Sequence, residues 1–344
     1  MPTGGLAGPV EDPGLPTLRE AWRPDLMLEA LARLVGLPGA DLPAAALTTE
    51  VLSHKAAQRC TIRYVVRSDG LAGGSRAVIA KLYRRRVLAA RIHGFMAALR
   101  SEAFAGADAS TIPESLGVVP ELGMALQEDL DGDDLRHPLL AGRGETPLSL
   151  SARWLANLHR ACPVPGLKEK SRAHELDKVD QACTVVAPHL SSPRRARMDR
   201  VRDQLHRIGA GPGGCASTMI HRDFYYAHVL WQPDRIGVID FDSLSIGDPA
   251  LDVGHFLAHL EALGYRRAAD PDRFADAGAR FLECYLGSGP ADVRPRLTFF
   301  RSYTHLKLAS IEVARQSGDW RQRVADYADL AVRSAGLRRR VPTH

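Results

Sequence analysis

Residues 221–242 read HRDFYYAHVLWQPDRIGVIDFD, a polar and aromatic loop set between two short strand-like runs, STMIH at 217–221 and RIGVIDF at 235–241. A short strand, a turn and a second short strand bring their ends to one mouth. Asp223 and Asp240, 17 residues apart, are therefore expected to face a common cleft between lobes. Loops of this kind, carried on a rigid scaffold, are where function concentrates.

Upstream of this loop the chain changes character. Apolar positions recur with helical spacing from Leu26 to Val35, and LTTEVLSHKAAQRCTIRYVVRSDG and SRAVIAKLYRR then alternate as strands around a glycine-rich turn at 70–74. Residues 86–104 return to helix, and MALQEDL at 124–130 predicts one more strand ending in an acid-rich connection at 129–134. That is a small α+β lobe. Downstream, LSLSARWLANLHRAC, ARMDRVRDQLHRI, DVGHFLAHLEALGY, RFADAGARFLECYL and the segment 299–332 keep a 3.6-residue apolar period, which predicts a mostly helical second lobe. Residues 1–20, rich in proline and glycine, are expected to form a flexible tail, and 336–344 a basic one. The lobes are expected at 21–127 and 128–335.

Phosphoryl transfer needs a carboxylate beside the attacking hydroxyl, metal ligands that bridge the phosphates, and a lysine on the nucleotide. His221-Arg222-Asp223 is followed five residues after the aspartate by His228, where the kinase pattern H-R-D-L-x-x-x-N has its asparagine. Asp240, continuing as Phe241-Asp242, stands where a kinase has the aspartate of D-F-G, and Ala77–Lys81 reads AVIAK, close to the V-A-I-K strand.

These residues in this order, with IGDPALDVGHFLAHL after the metal motif, resemble the aminoglycoside phosphotransferase and choline kinase-like family over about residues 50–335. The resemblance implies a bilobal, protein-kinase-like α+β fold with a small antiparallel-sheet lobe and a larger helical one. It implies that ATP and Mg2+ are the cofactors. By motif position Asp223 is the catalytic base, Asp240 the main metal ligand with His228 and Asp242 beside it, and Lys81 the holder of the α and β phosphates. Glu102 is the acid expected to pair with Lys81, with Glu114 following it, and Gln127 and Asp129 are placed on the nucleotide. Asp248 and Asp252, in GDPALD, are expected to brace the loop and cap the next helix, and His221 to brace the loop backbone.

The chain departs from the pattern in two places. His228 offers an imidazole where Mg2+ prefers oxygen, so Mn2+ or Zn2+ would be accepted more readily. The segment expected to cover the phosphates, SHKAAQRC, has no glycine, leaving Lys55 or Arg59 to meet phosphate as point charges.

Other features have two readings. Phe224, Tyr225 and Tyr226 either stack on a ring substrate or pack the loop onto the helical lobe. Glu128, Asp129, Asp131, Asp133 and Asp134 either attract a cationic acceptor or cap a helix N-terminus. His255 and His259 have metal-compatible i, i+4 spacing, but no HExxH motif surrounds them and their neighbours are apolar, which favours a structural role. The run Arg84–Arg86 is read as a solvated strand end.

Composition limits the function classes. The 344 residues carry 45 Lys plus Arg against 40 Asp plus Glu, a formal net charge of +5, too mild for a dedicated nucleic-acid binder. Five dispersed cysteines (60, 162, 183, 215, 284) form no C-x-x-C pair, which fits reduced thiols in a cytoplasm; no signal peptide or membrane span is expected. The expected function is transfer of the ATP γ-phosphate to a hydroxyl of a small molecule: an amino sugar, a sugar or an amino alcohol, with a cationic acceptor favoured by the acid-rich connection. Two rivals remain: a pseudokinase that binds a peptide or protein partner, and a protein kinase, disfavoured because no A-P-E segment is present.

Overall fold

The computed structural model describes residues 11–36, 41, 45–104, 110–211, 217–290 and 292–337. The ends of both expected tails and Cys215 lie outside them. The chain divides into two compact units, Met1–Gly106 with Thr111–Asp131, and Ala107–Ser110 with Gly132–His344.

The first unit is an antiparallel sheet with helices. Its elements are α1 (Pro24–Val35), β1 (Ala46–Lys55), β2 (Arg59–Arg67), β3 (Ser75–Tyr83) and α2 (Val87–Ala103); the two-residue β4 (Ser110–Thr111) then precedes β5 (Ser115–Val119) and β6 (Met124–Glu128). The sheet order is β1-β2-β3-β6-β5. Strict alternation sets its two faces. Cys60, Ile62, Tyr64 and Val66 of β2, Val78, Ala80 and Leu82 of β3, and Met124 and Leu126 of β6 enter one core. Thr61 pairs with Lys81, Lys81 with Ala125, and Ile79 with Gln127, so Lys81 and Gln127 share the opposite face.

Residues 11–20 depart from the expected flexible tail. Leu15 and Leu18 are buried in the sheet core with Ala21 of the following turn, because their apolar side chains fill the end of a sheet face that the strands alone leave open. Asp12 ties this strap to the glycine-free turn between β1 and β2. Its Oδ2 accepts the Ala57 N–H at 2.8 Å and contacts His54 Nε2 at 2.8 Å. Ala57 holds a left-handed φ of 55°, which the carboxylate stabilises. Gly14 is required where the strap crosses, since a Cβ there would lie 2.4 Å from that of Ala57.

The second unit begins with β7 (Asp133–Asp134), α3 (Arg136–Leu140), α4 (Glu145–Arg160), α5 (Arg172–Val186) and α6 (Ser192–Gly209). Four short strands follow: β8 (Thr218–Ile220), β9 (Val229–Gln232), β10 (Arg235–Val238) and β11 (Ser245–Gly247). Helices α7 (Ala250–Ala268), α8 (Ala275–Leu286), α9 (Arg294–Arg315) and α10 (Trp320–Ser334) complete it. The apolar period at 299–332 therefore belongs to two helices, separated at Gln316–Asp319, where Gln316 and Gly318 take positive φ. Residues 250–264 of α7 are all buried, making it the central helix. Gly254 lets α9 approach it closely, as a Cβ there would meet that of Phe300 at 2.7 Å. Among the described residues, no helix is long and apolar enough to cross a membrane.

Candidate active site

The loop between β8 and β9 is shaped from below by Asp252 in the first turn of α7. Its Oδ2 accepts the His221 N–H and its Oδ1 the Arg222 N–H, both at 2.7 Å. His159 Nε2 donates to Oδ2 at 3.1 Å, and the other ring nitrogen of His159 lies 2.7 Å from the Tyr285 hydroxyl. Burial alone would raise the Asp252 pKa, but the hydrogen bond and charge of His159, with the loop amides, outweigh it and hold the carboxyl below the usual range. This anchoring supports two left-handed residues, Arg222 with φ 67° and Asp240 with φ 71°. Arg222 is further held by an ion pair with the buried Glu175 of α5 at 3.1 Å.

His221 is fully buried and spans the loop. Its Nδ1 accepts the Asp223 N–H at 3.3 Å and its Nε2 donates to the Ile239 carbonyl at 3.1 Å. It thus joins the residues before Asp240 to the residue of Asp223, as a brace for the loop. Asp248 accepts the Ala250 N–H at 2.9 Å at the start of α7 and pairs with Arg172 and Arg296. Phe224 and Tyr226 are buried: Phe224 stacks on Trp154 with centroids 5.6 Å apart, and the Tyr226 hydroxyl accepts from Arg266 at 2.6 Å. Tyr225 remains half-buried, its ring 4.4 Å from that of His228 and 4.2 Å from that of His259.

Asp223, His228 and Asp240 come together, with one ligand atom of each within 4.8 Å of the others. Asp242 is not part of that cluster; it lies in the single turn Phe241–Ser243. His228 Nδ1 donates to the Asp223 carbonyl at 2.8 Å, so in the neutral ring Nε2 presents its lone pair, 3.7 Å from Asp240 Oδ2. Two electron-pair donors facing each other in a half-buried site repel unless a cation or proton lies between them. The donor set fits a divalent metal, and its nitrogen suits Mn2+ or Zn2+ better than Mg2+.

The Asp223 carboxylate is one-third exposed and meets two residues that sequence reasoning had not assigned to it. Lys307 Nζ lies 3.1 Å and His255 Nε2 3.3 Å from the same oxygen, Oδ1. His255 Nδ1 meets Thr304 Oγ1 of α9 at 3.2 Å, three residues before Lys307, so α9 addresses the site with one face. Burial raises the Asp223 pKa, but the Lys307 charge and the His255 hydrogen bond outweigh it and bring it well below the usual carboxylate range. Burial pushes His255 down to about 4, and His259 well below its ordinary value, so both rings are neutral at physiological pH. The i, i+4 histidine pair was the available signal for His255. Lys307 had none, being one basic residue in a long amphipathic stretch.

In the first unit, Lys81 is buried on β3. Glu102 stands exposed in the last turn of α2. Gln127 is buried on β6, and Asp129 pairs with Arg63 at 2.6 Å.

Comparison with known proteins gives the family and the fold. A family model described as "Phosphotransferase enzyme family" matches residues 63–297, and the chain belongs to that family. The N-acetylmuramate/N-acetylglucosamine kinase of Caulobacter vibrioides is 26% identical over 214 residues, 57% of this chain and 56% of that protein. The chain thus spans about half the length of the curated relative it matches. The choline kinase of Cryptosporidium parvum Iowa II shares the fold with a TM-score of 0.62 at 11% identity, covering 91% of this chain and 96% of that one. The amicoumacin kinase structure in complex with AMP-PNP, Ca2+ and Ami gives a TM-score of 0.60 at 14% identity, covering 92% of this chain and 95% of that one. The fold is therefore the kinase-like α+β fold of these enzymes.

Proposed function

We propose that this protein is a small-molecule kinase that moves the γ-phosphate of ATP to a hydroxyl group. The observation that carries the reading is the convergence of Asp223, His228 and Asp240, with the His228 lone pair facing the Asp240 carboxylate. Asp223, ionised and partly exposed, accepts the hydrogen bond of the acceptor hydroxyl and orients its oxygen. In a loose transition state that proton is lost late, so a low pKa does not disqualify the carboxylate. Asp240 and His228 would hold the divalent metal, which neutralises charge on the phosphates when bound. Lys81 would hold the α and β phosphates, with Gln127 and Asp129 beside the nucleotide.

Relatives support the acceptor class: by name they are kinases of N-acetylmuramate and N-acetylglucosamine, of choline and of amicoumacin, and one neighbour binds AMP-PNP with Ca2+. The thiols of Cys60, Cys162, Cys183 and Cys284 are free, which supports a reducing, cytoplasmic setting. The pseudokinase reading draws on His228 and on the glycine-free segment SHKAAQRC. Metal-dependent ADP release on adding acceptor, abolished in Asp223→Asn, tests the proposal; a folded protein that binds no nucleotide with any metal would favour the pseudokinase.

A further inference from the structure

Four of the five acids in the connection that favoured a cationic acceptor already meet a basic partner, and the fifth, Asp131, is exposed. Asp129 meets Arg63 at 2.6 Å, Glu128 meets Arg100 at 3.9 Å, Asp133 meets His137 at 3.3 Å and Asp134 meets Arg136 at 2.5 Å. Beside Asp223 stands a cation, Lys307. Glu175 is matched by Arg222, and Lys170 is close enough to act on both of them electrostatically. The Lys307 ammonium lies 3.1 Å from Asp223 Oδ1 and its side chain is 32% exposed, so an incoming acceptor can reach it.

A hydroxyl that shares Asp223 Oδ1 with Lys307 sits about 3 Å from that oxygen, and therefore roughly 6 Å or less from Lys307 Nζ. That is the reach of a substituent on the carbon next to the hydroxyl. An ammonium group there would be repelled by Lys307, whereas an acyl or carboxylate oxygen would accept its hydrogen bond.

We propose that Lys307 is an acceptor-binding, specificity-determining residue that takes an acyl or carboxylate oxygen beside the phosphorylated hydroxyl, so that the acceptor is an N-acylated or carboxylated sugar and not an ammonium compound. This rests on the kinase reading above and assigns the acceptor side of the same site. Thr304 and His255 hold Lys307 and Asp223 in register from α9 and α7.

The test compares N-acetylglucosamine, N-acetylmuramate, glucosamine and choline in a coupled ADP-release assay with Mg2+ and with Mn2+, in the full chain and in Lys307→Met and Lys307→Arg. The expected result is kcat/KM at least about tenfold higher for an N-acetylated sugar than for glucosamine or choline. Lys307→Met should raise KM for the acylated sugar by about ten- to a hundredfold, more than it lowers kcat, and Lys307→Arg should recover part of the loss. A preference for glucosamine or choline would overturn the inference, as would an acylated-to-free ratio unchanged in Lys307→Met. A Lys307→Met defect confined to AMP-PNP affinity would also overturn it, by assigning the lysine to phosphate. Transfer to none of the four, in protein that still binds AMP-PNP with metal, would overturn this inference and leave the kinase reading standing; failure to bind nucleotide would remove that reading itself.

Discussion

Both Lys307 and His255 engage one oxygen of Asp223, Oδ1, while Oδ2 stands 3.7 Å from His228 Nδ1. Exchanging this carboxylate for an amide keeps the volume and removes the charge that orients the hydroxyl. Asp223→Asn is accordingly expected to lower kcat by about a thousandfold while AMP-PNP affinity changes by less than about threefold, measured by ADP release and by titration. Asp252 carries no chemistry but satisfies two loop N–H groups and a buried imidazole. Its replacement in Asp252→Ala should cost about 3–5 kcal/mol in urea unfolding, since it strands buried donors; a cost below about 1 kcal/mol would contradict the bracing role. At this scale Asp223, His228 and Asp240 were legible because all three belong to one short stretch with motif spacing. Lys307 lies 84 residues beyond Asp223, on a helix whose periodicity reports only which face is buried.

Helices α7 and α9 set the distance between His255, Lys307 and the loop, and at Gly254 their backbones come close. Gly254→Ala should push the helices apart, lower stability by about 1–3 kcal/mol and reduce kcat together, read by thermal unfolding and turnover of the same sample. Full activity with unchanged melting would show that the approach has slack. Burial pushes the thiols of Cys60 on β2 and Cys183 on α5 up to about 12, whereas Cys162 is exposed. Iodoacetamide at pH 8 should therefore label Cys162 readily and reach Cys60 and Cys183 only after denaturation, as peptide mapping would show. Long periodic helices and the alternating β2–β3 hairpin were legible as elements. The strands β9 and β11, of four and three residues, were not, because so few positions carry no period, and α5 was obscured by its many charged and polar residues.

Over the whole molecule, the order of motifs along the chain conveyed the fold class, since AVIAK, HRDFYYAH and IDFD lie on elements whose succession is that of the family. The ordered N-terminal strap was hidden by its prolines and glycines, and only the tertiary packing of Leu15 and Leu18 reveals it. A ligand that binds only the native state raises the melting temperature by mass action, so AMP-PNP should do so with Mn2+ present and not with chelator, and equal shifts in both would argue against a metal-bridged nucleotide. The most direct measurement is electron paramagnetic resonance of Mn2+ titrated into the full chain with AMP-PNP, comparing wild type, Asp240→Asn and His228→Asn. The account predicts one tightly bound Mn2+ per chain with coupling to an imidazole nitrogen, the coupling lost in His228→Asn and tight binding lost in Asp240→Asn. Mn2+ binding that survives Asp240→Asn unchanged, or that shows no nitrogen coupling in the wild type, would contradict it.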